Sequence, residues 1–567
     1  MAQTDFESTA EKGGTTLKLY RGEGVGLAAL NMPKSNASDD FVGFALEFRP
    51  PKVKDWKVLG NRLNFDYEPP RDKVIFHPST EAPFQKFRWV HVPMDVEKGD
   101  YRYRATPMFM KKDGSLLKGA SVENAISLAA HTYDGFMNVG FTRGFASSQA
   151  YANPKRFPKF DEILPKDKGT GELGFDTKPF QKHYDWLGFE ARRLIFQFLQ
   201  EAIDNTSLTV DALFYEAREP DVVAMLERLG NRLRIIIDDH GETSHEDSNE
   251  SQVAKRLKKS GAEVERMHFG RQQHNKTLIL KRKSNGKPIR VLTGSTNFSL
   301  RGLYIQANNV LVFDDDGIAQ LYEDVFEAYW NEPSKFRKNE LSQKWHKIKN
   351  THGVKLSFCF SPHSDESLSL DPVAEAITEA KSSVLYAVVF LNQLTGQVRD
   401  SLDELVQRSL FSYGVAQRVG GLSVQKPDGS RGLLPFAFIG SKAPQPFKRE
   451  WAGGEGNMVH HKFVVTDFNG KSPKVFTGSS NMAAGGEKAN GDNMILIEDR
   501  KVAIAYAIEA LRMFDHFHFR VALKESDSKQ EKLTLRKPPT SKDEKTWFKS
   551  YYVAGHVKER DRKLFGG

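Results

Sequence analysis

The sequence predicts a multidomain protein in which an N-terminal all-β sandwich of immunoglobulin-like type precedes two α/β halves. Short runs of strand-like composition, interrupted by proline and glycine, fill the first part of the chain, and this pattern is typical of all-β domains. Farther along, helical and strand patterns alternate, as they do in layered α/β domains. A pair of short motifs occurs twice in that region, which indicates a duplication whose two halves share one site.

The composition indicates a protein with several compact cores. The chain has 567 residues, of which 39% are hydrophobic, and a prior of roughly 150 residues per domain suggests three or four domains. Its formal net charge of +9 is modest for this length, and it does not by itself predict nucleic-acid binding. The single cysteine, Cys359, lies in an apolar run, so a disulfide within the chain is excluded.

The sequence predicts neither a secretion signal nor a membrane span. The N-terminus lacks the basic start and the apolar segment of a signal peptide. The longest apolar run, residues 384–391, is far too short to cross a bilayer. We therefore expect a cytoplasmic protein.

Composition and periodicity also suggest the domain boundaries. Phe87 and Trp89 alternate with Arg88 and Val90, as in a strand with one face on a core. Turn signals without long periodicity follow this region, and then the alternating helix and strand pattern begins. The expected division is a disordered N-terminus over 1–14, a β-sandwich domain over 15–130, a linker over 131–184, a first half over 185–350, a second half over 351–520 with an insertion over 395–455, and a basic tail over 521–567.

Individual elements follow from the same patterns. Apolar residues recur at helical spacing at the start of the first half, and a strand-like run follows them. The second half opens in the same way, so the duplication extends beyond the motifs. The predicted helices cover 186–203, 221–229, 252–261, 372–380 and 502–514, and the predicted strands cover 16–20, 42–48, 84–92, 101–110, 208–214, 233–237 and 384–391.

The repeated motif pair combines a His-x-Lys block with a Gly-Ser-x-Asn block, and a further asparagine follows at the same distance in each copy. The Gly-Ser-x-Asn blocks and the further asparagines are offset by 184 residues, whereas the histidines are offset by 186. Only the connection between the two blocks therefore differs in length. The first copy is His274-Asn275-Lys276, Gly294-Ser295-Thr296-Asn297 and Asn309, and the second is His460-His461-Lys462, Gly478-Ser479-Ser480-Asn481 and Asn493.

The His-x-Lys blocks precede apolar runs that predict strands. Side chains two residues apart on a strand project from one face, so His274 and Lys276 point together. The same parity sends His461 to the opposite face, and we therefore pair His460 with Lys462. Lysine ammonium groups and asparagine amides can hold the oxygens of a phosphate between them. One neutral imidazole can then attack phosphorus while the other, protonated, donates to the leaving oxygen.

These blocks, present twice over roughly residues 185–520, resemble the signature of the phospholipase D superfamily. The resemblance implies two phospholipase D-like halves that form one catalytic unit. It also implies a phosphodiesterase that works through a phosphohistidine, without a metal ion or another cofactor. The order of the two histidines stays open. The candidate catalytic residues are His274, Lys276, Asn297, His460, Lys462 and Asn481, and the candidate supporting residues are Ser295, Asn309, Asp467, Ser479 and Asn493.

One position departs from the family pattern, in which an aspartate follows the lysine by five residues. Asp467 occupies this position in the second copy, whereas Lys281 replaces the aspartate in the first. In the family this aspartate supports the motif and does no chemistry, so the replacement bears on the geometry around His274 more than on activity. A protein that kept the fold and acts by binding or scaffolding is therefore one alternative.

The substrate is expected to be a phospholipid, and a nucleic acid is the alternative. A phospholipid is favoured because both halves lie in one chain with a long turn-rich insertion, whereas the family's simplest nucleases are short single-copy chains that dimerise. A monomer is expected for the same reason, and both hydrolysis and transfer to an alcohol stay open. The aromatic residues of the insertion that could contact a substrate are Phe411, Tyr413, Phe436, Phe438 and Trp451.

Two charged segments lie outside the motifs. The stretch 238–247 holds aspartate, glutamate and histidine residues of metal-ligand type, but their spacing matches no recognised site, so a solvated loop is favoured. Basic runs at 536–537 and 560–563 could attract an anionic lipid surface or a polynucleotide, although such runs are usually solvated.

Overall fold

The structure is a computed structural model that describes most of the chain. None of its described helices is long and apolar enough to span a membrane. The described residues are 5–66, 75–129, 132–166 without 145, 147 and 149, 171–350, 352–418, 426, 431, 433–435, 457–529 and 533–567.

The N-terminal region is an all-β domain of two antiparallel sheets, β1-β2-β3-β8 and β10-β9-β4-β5, with β11 also paired to β9. A short β6-β7 ladder lies beside them. The predicted strands are present, and the immunoglobulin-like type of the domain stays a prediction. The strands are β1 (Glu7–Lys12), β2 (Thr15–Arg21), β3 (Gly26–Asn31), β4 (Phe41–Arg49), β5 (Lys57–Val58), β6 (Gly60–Asn61), β7 (His77–Pro78), β8 (Arg88–His91), β9 (Asp100–Met110), β10 (Leu116–Lys118) and β11 (Val122–Ser127).

Residues 7–12 correct the expectation of a disordered start over 1–14. They form β1, which pairs antiparallel with β2 over its whole length, from Glu7 opposite Tyr20 to Lys12 opposite Thr15. The backbone hydrogen bonds of β2 stabilise this segment, and its polar composition gave no sign of them. Residues 1–4 lie outside the described part of the chain.

The first half is a seven-stranded sheet in the order β12-β18-β17-β16-β13-β14-β15, covered by helices. The five helices and strands predicted between 186 and 261 are all present, with ends that differ by at most five residues. The elements are β12 (Met137–Phe141), α1 (Gln181–Asp204), β13 (Leu208–Phe214), α2 (Pro220–Leu229), β14 (Leu233–Asp238), α3 (Asn249–Lys259), β15 (Glu263–Met267), β16 (Lys276–Arg282), β17 (Pro288–Gly294), α4 (Leu300–Tyr304), β18 (Asn309–Phe313) and α5 (Asp316–Asn331).

The region expected to be a linker, 131–184, is built into the first half. Strand β12 pairs antiparallel with β18 and forms the edge of the sheet. Tyr151, Phe157 and Ile163 are fully buried, and the hydroxyl of Tyr184 donates to the carbonyl of Ile163 at 2.7 Å. These apolar side chains are dispersed among turn residues, so no periodicity revealed them.

The second half repeats this sheet in the order β19-β20-β26-β25-β24-β21-β22-β23. From β20 to β23 it corresponds strand by strand to the order from β12 to β15, so the duplication covers the whole sheet. The elements are β19 (His346–Ile348), β20 (Lys355–Ser361), α6 (Ser367–Glu379), β21 (Ser383–Val388), α7 (Gln397–Gln407), β22 (Phe411–Ala416), β23 (Leu433–Pro435), β24 (Lys462–Thr466), β25 (Lys474–Gly478), α8 (Ala484–Ala489), β26 (Asp492–Glu498) and α9 (Arg500–Ser528).

The expected insertion, 395–455, is described in part. Phe411 packs against Phe565, with ring centroids 5.2 Å apart, and Tyr413 packs against Phe514 at 4.1 Å. These two aromatic residues therefore belong to the protein interior. Phe436, Phe438 and Trp451 lie outside the described residues.

Residues 533–567 fold back onto the β-sandwich, where the sequence suggested a basic tail. Trp547 Nε1 donates to the carbonyl of Phe41 at 2.9 Å, and the hydroxyl of Tyr552 donates to the carbonyl of Met32 at 2.8 Å. A final helix, α10 (Val557–Gly566), follows. The basic residues drew attention in the sequence, but the aromatic residues between them determine the packing, because their burial removes a large apolar area from water.

Replacing Trp547 with alanine is expected to lower the free energy of unfolding of the sandwich by about 3 kcal/mol, since it leaves a cavity between the C-terminal segment and Phe41. Chemical denaturation followed by circular dichroism measures this change. The exposed Lys545→Ala, two residues away, is the control and should be neutral. Equal stability of the two variants would show that the segment does not contribute to this core.

Candidate active site

The two motif segments meet where the halves join, and each is held by the backbone of the other half. The amide of His274 donates to the carbonyl of Gly491 at 2.8 Å, and the amide of His460 donates to the carbonyl of Ala307 at 3.1 Å. Each histidine therefore lies between its own strand and the turn that precedes the last sheet strand of the opposite half. The two contacts repeat one another, as the duplicated sheet requires.

A side chain of the opposite half orients each imidazole. His274 Nδ1 lies 2.7 Å from Asp492 Oδ1, and His460 Nδ1 lies 2.8 Å from Asn308 Oδ1. Because both partners are oxygen acceptors, each Nδ1 is the donor, and Nε2 of each neutral ring is the basic atom. In the second copy, Lys462 Nζ also lies 3.3 Å from His460 Nε2. The halves are thus equivalent in geometry and different in charge, with a carboxylate behind His274 and an amide behind His460.

The serine of each Gly-Ser-x-Asn block fixes the orienting residue. Ser479 Oγ donates to Asp492 Oδ1 at 2.7 Å, and Ser295 Oγ donates to Asn308 Oδ1 at 2.9 Å. Each serine also accepts the backbone N–H of the residue that follows its partner, at 3.0 Å in both halves. Ser295 and Ser479 therefore act on the histidines through one intervening side chain.

Sequence reasoning missed Asp492 and Asn308 and selected the asparagine that follows each. Asn309 and Asn493 do not contact the histidines; they bridge the halves. Asn309 Nδ2 donates to Thr477 Oγ1 at 3.2 Å, and Asn493 Nδ2 donates to Asn275 Oδ1 at 2.8 Å. One signal was available, because the residue before each of these asparagines is a hydrogen-bond acceptor in both copies.

The two lysines are buried beside the histidines. Lys276 donates to the carbonyl of His274, and Lys462 donates to the carbonyl of His460 at 2.8 Å. Burial lowers the pKa of Lys276 to about 7. Burial, and then the charge of Lys276, lower the pKa of Lys462 well below its usual value. Two ammonium groups that repel each other in a buried site are suited to an anion between them.

Burial disfavours the charged form of both histidines. Burial lowers the pKa of His274 to about 4, although Asp492 opposes this effect. Burial and the positive charges of Lys462 and Lys276 lower the pKa of His460 well below its usual value. Negative charge placed beside these groups would raise the pKa of both rings.

The asparagines of the Gly-Ser-x-Asn blocks are also placed at this junction. Asn297 and Asn481 each keep an amide oxygen that is buried and has no hydrogen-bond partner. Asn297 also donates to the carboxylate of Glu216. The amide oxygens of Asn297 and Asn481 are acceptors and can receive a hydrogen bond from a donor group of a ligand, whereas only the Nδ2 groups can donate to an anion.

The walls of the site differ between the halves. Strand β13 is followed by Tyr215 and Glu216, and the corresponding strand β21 is followed by Val389 and Phe390. Burial alone would raise the pKa of Glu216, but Arg218, at 3.0 Å, and the hydrogen bonds of Ser299 and Asn297 hold it below its usual value. One wall is therefore polar and carries an ion pair, and the other is apolar.

Asp467 and Lys281 lie far from the histidines, at the other ends of their strands. Five residues of strand separate each from the motif lysine, which corresponds to about 16 Å. The carboxylate of Asp467 accepts the backbone N–H of Ser382 at 2.6 Å. Lys281 Nζ lies 2.5 Å from a carboxylate oxygen of Asp211 and of Glu323. The departure at Lys281 therefore leaves the surroundings of His274 untouched.

The carboxylates of metal-ligand type have other partners. Asp238 accepts the backbone N–H of Gln273 at 2.6 Å and the hydroxyl of Thr243 at 2.7 Å, so it fixes the segment that leads into His274. Asp211 and Glu323, with a third carboxylate, lie close enough together to hold a metal ion. Lys281 lies between the first two and supplies the positive charge that a metal ion would bring.

A family model described as cardiolipin synthase, phospholipase D-like domain, matches residues 197–330, from within α1 almost to the end of α5. No curated protein matches the chain significantly.

Several solved structures resemble the chain at low identity. Polyphosphate kinase from Porphyromonas gingivalis is 11% identical, over 80% of this chain and 70% of that one, with a TM-score of 0.37. Phosphatidylserine synthase from Haemophilus influenzae is 13% identical, over 59% and 91%, with a TM-score of 0.39. The phospholipase D family member Nuc from Salmonella typhimurium is 23% identical, over 25% and 88%, with a TM-score of 0.20.

Proposed function

We propose that this chain, whose duplicated motifs and whose residues 197–330 are those of a phospholipase D-like protein, cleaves a phosphodiester through a covalent phosphohistidine. The observation that carries the proposal is the crossed pairing of His274 with Asp492 and of His460 with Asn308. A site that only binds phosphate has no use for two oriented imidazoles with different partners.

We assign His274 as the nucleophile. The carboxylate of Asp492 at Nδ1 raises the electron density at Nε2 and stabilises the positive charge that the ring acquires when Nε2 bonds to phosphorus. The amide oxygen of Asn308 orients the ring of His460 without adding a charge. His460 is therefore suited to give up a proton that it takes on when the anionic substrate binds.

The reaction then proceeds in two balanced steps. His274 Nε2 attacks phosphorus, the bond to the leaving oxygen breaks, and that oxygen takes the proton of His460 Nε2. Water or an alcohol next gives a proton to His460 and attacks phosphorus, and the bond to His274 breaks. Lys276 and Lys462 stabilise the negative charge on the non-bridging oxygens, with Asn297 and Asn481 as further donors. The reaction as proposed uses no metal ion.

A phospholipid is the substrate that we favour. The polar wall combines the Glu216 and Arg218 ion pair with two further carboxylates that act on Arg218, those of Glu172 and Glu250. This wall is not a basic groove, so the neighbouring phosphates of a polynucleotide would meet carboxylates there. It suits a polar head group, while Phe390 and Val389 offer an apolar wall on the other side. A monomer and a cytoplasmic location, as expected from the sequence, remain part of this proposal.

The test gives the purified protein a fluorogenic phosphatidylcholine and a single-stranded DNA in parallel, with EDTA present. Lipid turnover that both His274→Ala and His460→Ala abolish supports the proposal. DNA cleavage with the same loss would replace it with a nuclease. Binding of phosphate without turnover of either substrate would favour a binding protein.

Asp492→Asn is expected to reduce kcat by roughly 10²- to 10⁴-fold, because the amide neither stabilises the cationic ring nor ensures its tautomer. Steady-state kinetics on a diester substrate measure the change. Glu498→Gln, at the other end of β26, is the matched control and should keep kcat. Equal activities of the two variants would contradict the assignment of His274.

A nitrophenolate leaving group needs no proton from a general acid. The pH profile of kcat/KM for such a substrate therefore reports the other ionisable groups of the free enzyme. Turnover should rise as pH increases through about 4, where His274 becomes neutral. It should fall as pH rises through about 7, where Lys276 loses its charge. An alkaline limb near the ordinary lysine pKa of about 10.4 would contradict this account.

A further inference from the structure

A cavity of about 360 Å³ lies between the β-sandwich and helix α9, away from the motif histidines. Its volume is within the range of roughly 300–1,000 Å³ that is usual for small-molecule sites. Strand β8 forms one wall and α9 the opposite wall, so the cavity joins the N-terminal domain to the second half. The apolar lining includes Phe76, Phe84, Trp89, Val90, Phe519 and Leu535.

The charges at this cavity favour an anion. Arg62 and Lys86 line it, and the guanidinium of Arg62 lies 5.1 Å from the ring centroid of Phe519. Asp515, which also lines the cavity, is already paired with Arg88 at 2.6 Å. An acidic group inside the cavity would therefore meet positive charge, while an aliphatic body would meet aromatic walls.

The mouth of the cavity exposes apolar surface. Phe76 is 53% exposed, and the neighbouring Ile75 is 37% exposed. Exposed apolar side chains that adjoin an apolar cavity are typical of an entrance for a hydrophobic ligand.

The inner wall of the cavity connects to His460 through two hydrogen-bonded routes. Arg512 lines the cavity and binds Glu509, with Nε donating to Oε2 at 2.7 Å. Glu509 in turn accepts from His461 at 3.0 Å. His461 is thus held at the back of the strand segment that carries His460.

The second route runs through the first half. Arg512 Nη2 donates to the carbonyl of Thr142 at 3.2 Å. The hydroxyl of Thr142 accepts the backbone N–H of Asn308 at 2.9 Å, and the side chain of Asn308 orients His460. Two series of hydrogen bonds therefore connect Arg512 with the surroundings of His460.

We infer that this cavity binds a small anionic amphiphile, a single aliphatic chain with an acidic head group, and that its occupancy shifts His460 through Arg512. The aliphatic chain packs between Trp89 and Phe519, and the acidic head group lies near Lys86 and Arg62. The site is separate from the phosphodiester site, and its existence does not depend on the proposed reaction.

Calorimetric titration of the full-length protein with decanoate, below its micellar concentration, tests the binding. We expect saturable binding of decanoate that weakens at least about fivefold in Lys86→Glu and in Phe76→Ser. Decan-1-ol, which lacks the acidic group, should bind the wild type more weakly than decanoate by a similar factor. Lys118→Glu and Leu117→Ser, exposed positions on the same domain, are matched controls and should bind as the wild type does. Decyl phosphate as a second probe distinguishes a carboxylate from a phosphate head group.

Hydrogen exchange tests the coupling without an activity assay. Decanoate should change the exchange of the amides in 459–463 in the wild type and leave them unchanged in Lys86→Glu. If the two cavity variants bind decanoate as tightly as the two control variants do, the ligand does not bind in this cavity. Binding without a change at 459–463 would overturn the coupling.

Discussion

Replacing His274 with alanine is expected to abolish turnover of every phosphodiester, by at least ~10⁴-fold, because no other group can form the bond to phosphorus. The loss should be the same for a nitrophenolate and for an alkoxide leaving group. Steady-state kinetics with both kinds of substrate measure it. His268→Ala, which removes an exposed imidazole paired with Asp239, is the control and should be fully active.

Comparison of His274→Ala with His460→Ala tests which ring is the nucleophile and which is the general acid. A general acid contributes about 10²- to 10⁴-fold when the leaving oxygen needs a proton, and little when the leaving group is a stable nitrophenolate. His460→Ala should therefore lose alkoxide substrates and keep much of its first turnover on nitrophenyl substrates, with the phosphoryl group trapped on His274. A reversed pattern, with His274→Ala retaining the nitrophenyl substrate, would exchange the two roles.

The sequence contained enough information to predict the motif residues and most elements of the two halves. The parity of a strand separated His460 from His461, and the structure places His461 against Glu509 with its Nε2 at 3.0 Å. The repeated apolar patterns predicted the sheet of the first half closely, with the strand Leu208–Phe214 correct at both ends. These features depend on local periodicity, which a single sequence displays directly.

The orienting partners could not be predicted in the same way. Asp492 is 218 residues from His274, and Asn308 is 152 residues from His460. Which half supplies the partner depends on how the two sheets meet, and no periodicity within either half reports that arrangement. Strand β12 and the aromatic C-terminal segment were missed for a related reason, since both are stabilised by contacts with distant parts of the chain.

Lys281 departs from the aspartate of the family pattern, and residues far from it in the sequence explain the departure. Asp211, on the neighbouring strand, and Glu323, on α5, are buried on either side of it, with side-chain exposures of 2% and 8%. An aspartate at this position would add a fourth carboxylate to the cluster of Asp211, Glu323 and Glu327. Lysine is therefore the residue that this half requires, and the family aspartate, which Asp467 represents in the second half, would not fit here.

Lys281→Asp, which restores the family pattern in sequence, is accordingly expected to destabilise the first half by at least ~5 kcal/mol. Removing one partner of a buried ion pair costs about 3–5 kcal/mol, and the new carboxylate adds repulsion to that cost. Denaturant unfolding measures the loss, and kcat per folded molecule should stay unchanged because Lys276, the motif residue on the same strand, lies about 16 Å away and His274 lies farther still. Lys283→Asp, an exposed position two residues farther on, is the control and should be nearly neutral. A stable Lys281→Asp variant with altered kcat would instead mean that this position acts on the chemistry. It would contradict the claim that residue 281 has no influence on the site at the other end of β16.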